Sequence, residues 1–242
     1  MADRSKTMAP TGGHTIKAFD DDLDRLRALI SEMGGLAEHN IREAMRCLVD
    51  RDLDGAKHVV EEDRKLDALE IETERRAVRL IALRAPMASD LRDVVAALKI
   101  SSVVERIGDY AKNIAKRVPL LADVGNIEPL SLLPEMARIA TEMVHDVLTA
   151  FVERDAESAL EVIERDKKVD DFYNSIFRTL LTYMMENPHN ITQSTHLLFV
   201  AKNIERVGDH ATNIAEMVYY AATGDYLGDR PKGSDSLEAQ PE

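Results

Sequence analysis

The sequence predicts an all-α protein made of two tandem antiparallel three-helix bundles, six long helices related by an internal repeat. Three observations carry that expectation. Gly and Pro number only 11 and 8 in 242 residues, leaving long stretches of Ala, Leu, Glu, Arg and Met, all strong helix formers. Helix-breaking positions fall at five places: 52–55, Pro86, the stretch holding Pro119, Pro129 and Pro134, near Asp155, and Pro188. The halves also repeat. At an offset of 103, Met33, Ile41, Arg51 and Asp52 fall on Met136, Val144, Arg154 and Asp155, and DRKLD (63–67) falls on DKKVD (166–170). After a three-residue contraction near Pro86 and Pro188, ERIGDYAKNIA (105–115) meets ERVGDHATNIA (205–215), identical at eight of eleven positions.

Residues 1–15 and 224–242 combine Gly, Pro, Ser and charge without periodicity and are expected to be disordered tails. Between them the first helix runs to the break at 52–55, the second to Pro86, and the third to about Val118. Three antiparallel helices can bury the apolar stripes that a pair cannot, so residues 16–118 form the first expected bundle. Residues 119–131 are the expected linker. Residues 132–223 form the second bundle, with breaks at Asp155 and Pro188.

The charge balance is −13, the wrong sign for wrapping a phosphate backbone, so nucleic acid is not an expected partner. The single cysteine, Cys47, lies in an amphipathic stretch that suits a core position and a reducing compartment. The N-terminus lacks an apolar signal region, and the longest apolar runs, such as LLFVA (197–201), are too short to span a bilayer. A cytoplasmic protein that reaches a membrane only through partners is expected.

In the third helix Ile100, Val103, Ile107, Ala111, Ile114 and Val118 recur at intervals of three and four and form the core seam. At about 100° per residue, Glu105, Asp109 and Asn113 form a stripe turned away from that seam. Glu205, Asp209 and Asn213 repeat it in the sixth helix. On the second and fifth helices, Asp63 and Asp67, and Asp166 and Asp170, sit at the edge of the apolar seam. A neighbouring pair of helices therefore brings four carboxylates and an amide into one surface groove. Such a cluster is costly unless a cation neutralises it. Oxygen-only donors suit Mg²⁺, Mn²⁺, Ca²⁺ or iron rather than a closed structural zinc site. A solvated acidic face is the competing reading, weakened by the repetition in both halves. Gly108 and Gly208 imply a close approach to the helix backbone, with tight helix packing favoured over a ligand contact. Arg106 and Arg206 are expected to pair with acids on an adjoining helix. His145 and His189 follow Glu142 and Glu186 in Glu-x-x-His spacing, the pattern of di-iron bundles, but Pro188 interrupts the second copy. No phosphate loop, nucleophile elbow or Cys/His zinc pattern is present.

The segments DLRDVVAALKISSVVERIGDYAKNIAKRV and NIERVGDHATNIAEMVYY resemble the PhoU family of phosphate-transport accessory proteins, and the likeness covers roughly residues 16–222. It implies a cytoplasmic, mostly dimeric, helical and non-enzymatic protein. The role implied is repression of the phosphate-starvation response, alongside a phosphate ABC transporter, through its ATPase subunit, and a sensor histidine kinase. It also implies surface metal clusters on Asp63, Asp67, Glu105 and Asp109 and on Asp166, Asp170, Glu205 and Asp209, holding Mg, Mn, Fe or Zn. Asn113 and Asn213 enter from the helix stripe, not from the resemblance. Asp90 and Arg92 after the Pro86 loop have no clear counterpart after Pro188, so the sites are expected to differ. A metal-dependent enzyme using the carboxylates and a purely structural scaffold are the alternative readings.

Overall fold

A computed structural model describes residues 12–122 and 131–228. Six long helices account for nearly all of them: α1 (Gly12–Asp50), α2 (Leu53–Arg84), α3 (Ser89–Ala115), α5 (Leu133–Glu153), α6 (Ala156–Glu186) and α7 (Ile191–Thr223). A single helical turn, α4 (Val118–Leu121), follows α3, and a 3-10 turn at Pro188–Asn190 precedes α7. No strand occurs among the described residues.

The helix ends follow from local chemistry. Asp52 caps α2 by accepting from the Gly55 amide at 2.9 Å, and its repeat counterpart Asp155 caps α6 by accepting from the Glu157 amide at 2.9 Å and the Ser158 amide at 3.2 Å. Before each cap the chain turns through a left-handed residue, Arg51 at φ 57° and Arg154 at φ 58°, so even the unfavourable backbone conformation is repeated.

Two boundaries differ from the sequence expectation. Helix α1 already includes 12–15, which were expected to be tail, and the expected linker begins with the α4 turn. The rest of the N-terminal tail (1–11), most of the linker (123–130) and the C-terminal tail from 229 lie outside the described residues.

Helices α1, α2 and α3 pack on one another, as do α5, α6 and α7, and the triplets join through α3 against α7 and α1 against α5. One continuous core results, running from Leu26, Ile30 and Ile41 through Ile100 and Ile107 to Val144, Ile204 and Ile214. Cys47 is wholly buried within it. Across the junction, buried Asp93 of α3 accepts from Arg27 of α1 at 3.1 Å and pairs with Arg154, just beyond α5, at 3.3 Å. That ion pair ties one triplet to the other.

Candidate functional site

Helix α3 packs against α1, α2 and α7, so little of its surface is left for water. This alters the expected placement of the acids. Val104 is fully buried where the sequence pointed to Val103, and Glu105 and Asp109 are half-buried instead of lying on an outward stripe. Asp63, expected at a seam edge, is buried at 3% exposure.

The twin glycines make this burial possible. A Cβ at Gly108 would lie 2.2 Å from Leu66 Cδ2 and 3.7 Å from Asp63 Oδ1, and one at Gly208 would lie 2.8 Å from Asp166 Oδ1. Each glycine therefore lets the third helix of its triplet close onto the second at the aspartate. Tight helix packing is the observed role.

In the first triplet a lysine stands among the acids. Lys112 Nζ donates to Asp63 Oδ2 at 2.5 Å and to Asp109 Oδ1 at 3.1 Å, joining α2 to α3. The bond to Asp63 is the main reason the Lys112 ammonium has a raised pKa, with burial opposing. Glu105 is pushed up to about 7, chiefly by burial and then by the charges of Asp109, Glu70, Asp67 and Asp63. Burial, then Asp63, also raises Asp67. Glu70 thus belongs to the cluster although sequence reasoning missed it; it lies three residues beyond Asp67, within the same helix face.

The second triplet repeats the acids with a different cation. Lys202 Nζ donates to Glu205 Oε1 at 2.6 Å and stands 5.3 Å from the Tyr173 ring centre. The other Glu205 oxygen, Oε2, is buried without a hydrogen-bond partner. Asp209 is pushed up to about 6 by burial and by Glu205, and Asp170 is raised by the same two causes. Asp166 is half-buried against Gly208.

Asn113 and Asn213 are exposed and make no hydrogen bond among the described residues. The expected Arg106 and Arg206 ion pairs are not formed among the described residues. Arg206 instead lies 5.9 Å from the Tyr110 ring centre. Tyr110 in turn meets its repeat counterpart His210, edge to face, at 5.1 Å. His145 faces Glu38 of α1 at 3.1 Å, while Glu142 pairs with Arg138, so the Glu-x-x-His pattern does not converge.

Among the described residues, no three His, Cys, Asp or Glu side chains stand in a ready-made metal-binding arrangement. The donor set nonetheless suits a hard cation. It is oxygen-only, two of its acids hold protons to unusually high pH, chiefly because they are buried and then because other carboxylates surround them, and one buried oxygen of Glu205 has no partner.

Comparison with known proteins places the chain. The family model of the PhoU domain matches residues 30–118 and 133–218, the two triplets in turn. The chain belongs to the PhoU family. It is 55% identical over 228 residues to the phosphate-specific transport system accessory protein PhoU homolog of Zymomonas mobilis, covering 94% of this chain and 96% of that one. The similarly named homolog of Caulobacter vibrioides is 48% identical over 221 residues, covering 90% and 96%. The crystal structure of PhoU from Pseudomonas aeruginosa superposes with a TM-score of 0.82 at 36% identity, covering 86% of this chain and all of that one. The twin acid rows of this PhoU chain thus lie one in each copy of the family's domain.

Proposed function

We propose that this chain is the negative-regulatory accessory component of a phosphate-specific transport system. In this reading it is a cytoplasmic homodimer that bridges the ATPase subunit of a phosphate ABC transporter to a sensor histidine kinase. When phosphate is plentiful it holds the kinase in its repressing state. The observation that carries the reading is the likeness to the Zymomonas mobilis accessory protein over nearly the whole length of both chains. No helix among the described residues is long and apolar enough to cross a membrane, which suits membrane contact through partners. The role is one of binding rather than catalysis.

The acid rows are part of this proposal. Asp63, Asp67, Glu105 and Asp109, and Asp166, Asp170, Glu205 and Asp209, would hold a divalent or iron-type cation. Bound there, it would supply the positive charge that Lys112 and Lys202 supply only in part.

Two experiments test the proposal. Deleting the gene should derepress phosphate-responsive transcription and uptake in phosphate-rich medium; unchanged responses would overturn the regulatory role. Protein purified without chelator should carry metal and show a thermal shift with Mn²⁺ or Mg²⁺. Absence of both would reduce the rows to solvated or lysine-paired surface.

A further inference from the structure

On α2, toward the other end from Asp63, a different charge pattern appears. Glu72, Arg75, Arg76, Arg79, Leu80, Leu83 and Arg84 recur at intervals of three and four along one face. With Asp22 and Arg25 of α1 they line a cleft of about 260 Å³. Five guanidinium groups face two carboxylates there, and both carboxylates are already shared. Asp22 takes Arg84 at 3.2 Å and Arg25 at 3.6 Å, while Glu72 takes Arg76 at 2.6 Å and Arg75 at 3.3 Å. Arg79 has no ion pair among the described residues. A local surplus of three positive charges therefore persists in a chain whose net charge is −13.

The repeat shows that the fold does not require this cluster. At the offset of 103, Arg76, Arg79 and Arg84 correspond to Thr179, Thr182 and Asn187, and the exposed Leu83 corresponds to Glu186. The register holds throughout, since buried Thr73 and Ala77 match buried Ile176 and Leu180. One copy thus builds the same helix with a single arginine of the four, Arg178 at the position of Arg75. Like charges set along one cleft within one to two Debye lengths, roughly 8 Å each, repel unless an anion offsets them.

We propose that this cleft binds a small polyanion carrying two or more linked phosphoryl groups. The guanidinium fork pairs with phosphoryl oxygens through two parallel hydrogen bonds, which a single point charge cannot match. From Arg75 to Arg84 the helix rises about 13 Å, more than one tetrahedral anion spans but within reach of a phosphoryl chain. The volume lies just below the usual range of small-molecule sites, roughly 300–1,000 Å³. This assignment is independent of the regulatory reading above.

Calorimetric titration of the full chain at fixed ionic strength, without divalent cations, tests it with inorganic tripolyphosphate, ATP and orthophosphate. Tripolyphosphate should bind at least tenfold more tightly than orthophosphate. The Arg75→Gln, Arg79→Gln double variant should weaken it at least tenfold, and Arg178→Gln on α6 should leave it unchanged. Arg79→Glu, with folding checked by circular dichroism, should weaken it further. ATP binding as tightly as tripolyphosphate would support a nucleotide as the source of the phosphoryl chain, and weaker ATP binding an inorganic chain. The proposal is overturned if neither binds, or if the double variant binds as wild type does or loses no more than Arg178→Gln.

Discussion

Replacing Glu105 by Gln removes a charge that the folded protein accommodates poorly. Its pKa rises from 4.5 in the open chain to about 7 in the fold, because it is half-buried beside Asp109, Glu70, Asp67 and Asp63. A raised acid holds its proton in the folded state at pH values where the unfolded chain has lost it. Ionisation therefore opposes folding; the penalty is absent below about pH 4.5 and complete above about pH 7. At about 1.4 kcal/mol per pKa unit the ceiling is near 3.5 kcal/mol, and solvent screening at this partly exposed carboxyl lowers it to about 1 kcal/mol. In a chain of this size 1 kcal/mol corresponds to roughly 2–4 °C in Tm. Thermal melts of chelator-treated protein followed by circular dichroism should find wild type and Glu105→Gln equal at pH 4.5. At pH 8 the variant should melt about 2–4 °C higher. An equal difference at both pH values, or a less stable variant at pH 8, would refute the electrostatic account of the cluster.

Lys112→Met should destabilise the metal-free protein by about 2–4 kcal/mol in urea melts, because buried Asp63 loses the cation that Lys112 places on it. The same variant should show a larger Mn²⁺-dependent thermal shift than wild type if the row takes a cation, and no larger shift would argue against it. Gly108→Ala should cost about 1–2 kcal/mol after its gain in helix propensity, since its Cβ meets the packed Leu66 at 2.2 Å, and Gly208→Ala should cost less; the reverse order in denaturant melts would contradict the packing. Asp93→Asn should lose about 2 kcal/mol and speed amide exchange at the end of α5, where Arg154 is released; unchanged exchange there would show that the pair does not fasten the triplets. Because one Glu205 oxygen is buried without a partner, the second row should be the tighter site, so metal titrations followed by thermal shift should lose the tighter of two binding events in Asp209→Asn and the weaker in Glu105→Gln; the opposite assignment would sink that order.

The helix count and ends were legible because they depend on single residues acting locally. Asp52 and Asp155 cap, prolines break, and the repeat registers one half against the other. Burial of the acids was not legible, because a rotation argument sets each helix against one core seam, whereas α3 packs against three long helices. Asp63 consequently lies inside, and the stripe of Glu105 and Asp109 is half-closed. The lysines were hidden for another reason: on an exposed helix they read as solvation. Their spacing held a usable signal, since Lys112 follows Asp109 by three residues and Lys202 precedes Glu205 by three, each within the acid row's own stripe. The arginine cleft escaped notice because it gathers residues from α1 and α2 that are about fifty positions apart in sequence.

The two copies keep the same acids but move the cation. Lys112 corresponds to Thr212, and Lys202 corresponds to Ser102, so neither lysine is inherited from a shared position. Lys112 clamps acids from two helices and therefore reinforces the α2/α3 contact as well as neutralising it. Lys202 bonds only Glu205 on its own helix and leaves the second Glu205 oxygen buried without a partner. A cation entering the first row must displace an interhelical salt bridge, whereas one entering the second meets an oxygen already stripped of water. Desolvation of that oxygen has been incurred in folding, so binding gains the interaction without incurring that cost again. The second row is accordingly the better prepared to take an ion, although the four acids shared by the two rows are identical in kind and spacing and Glu70 of the first row gives way to Tyr173.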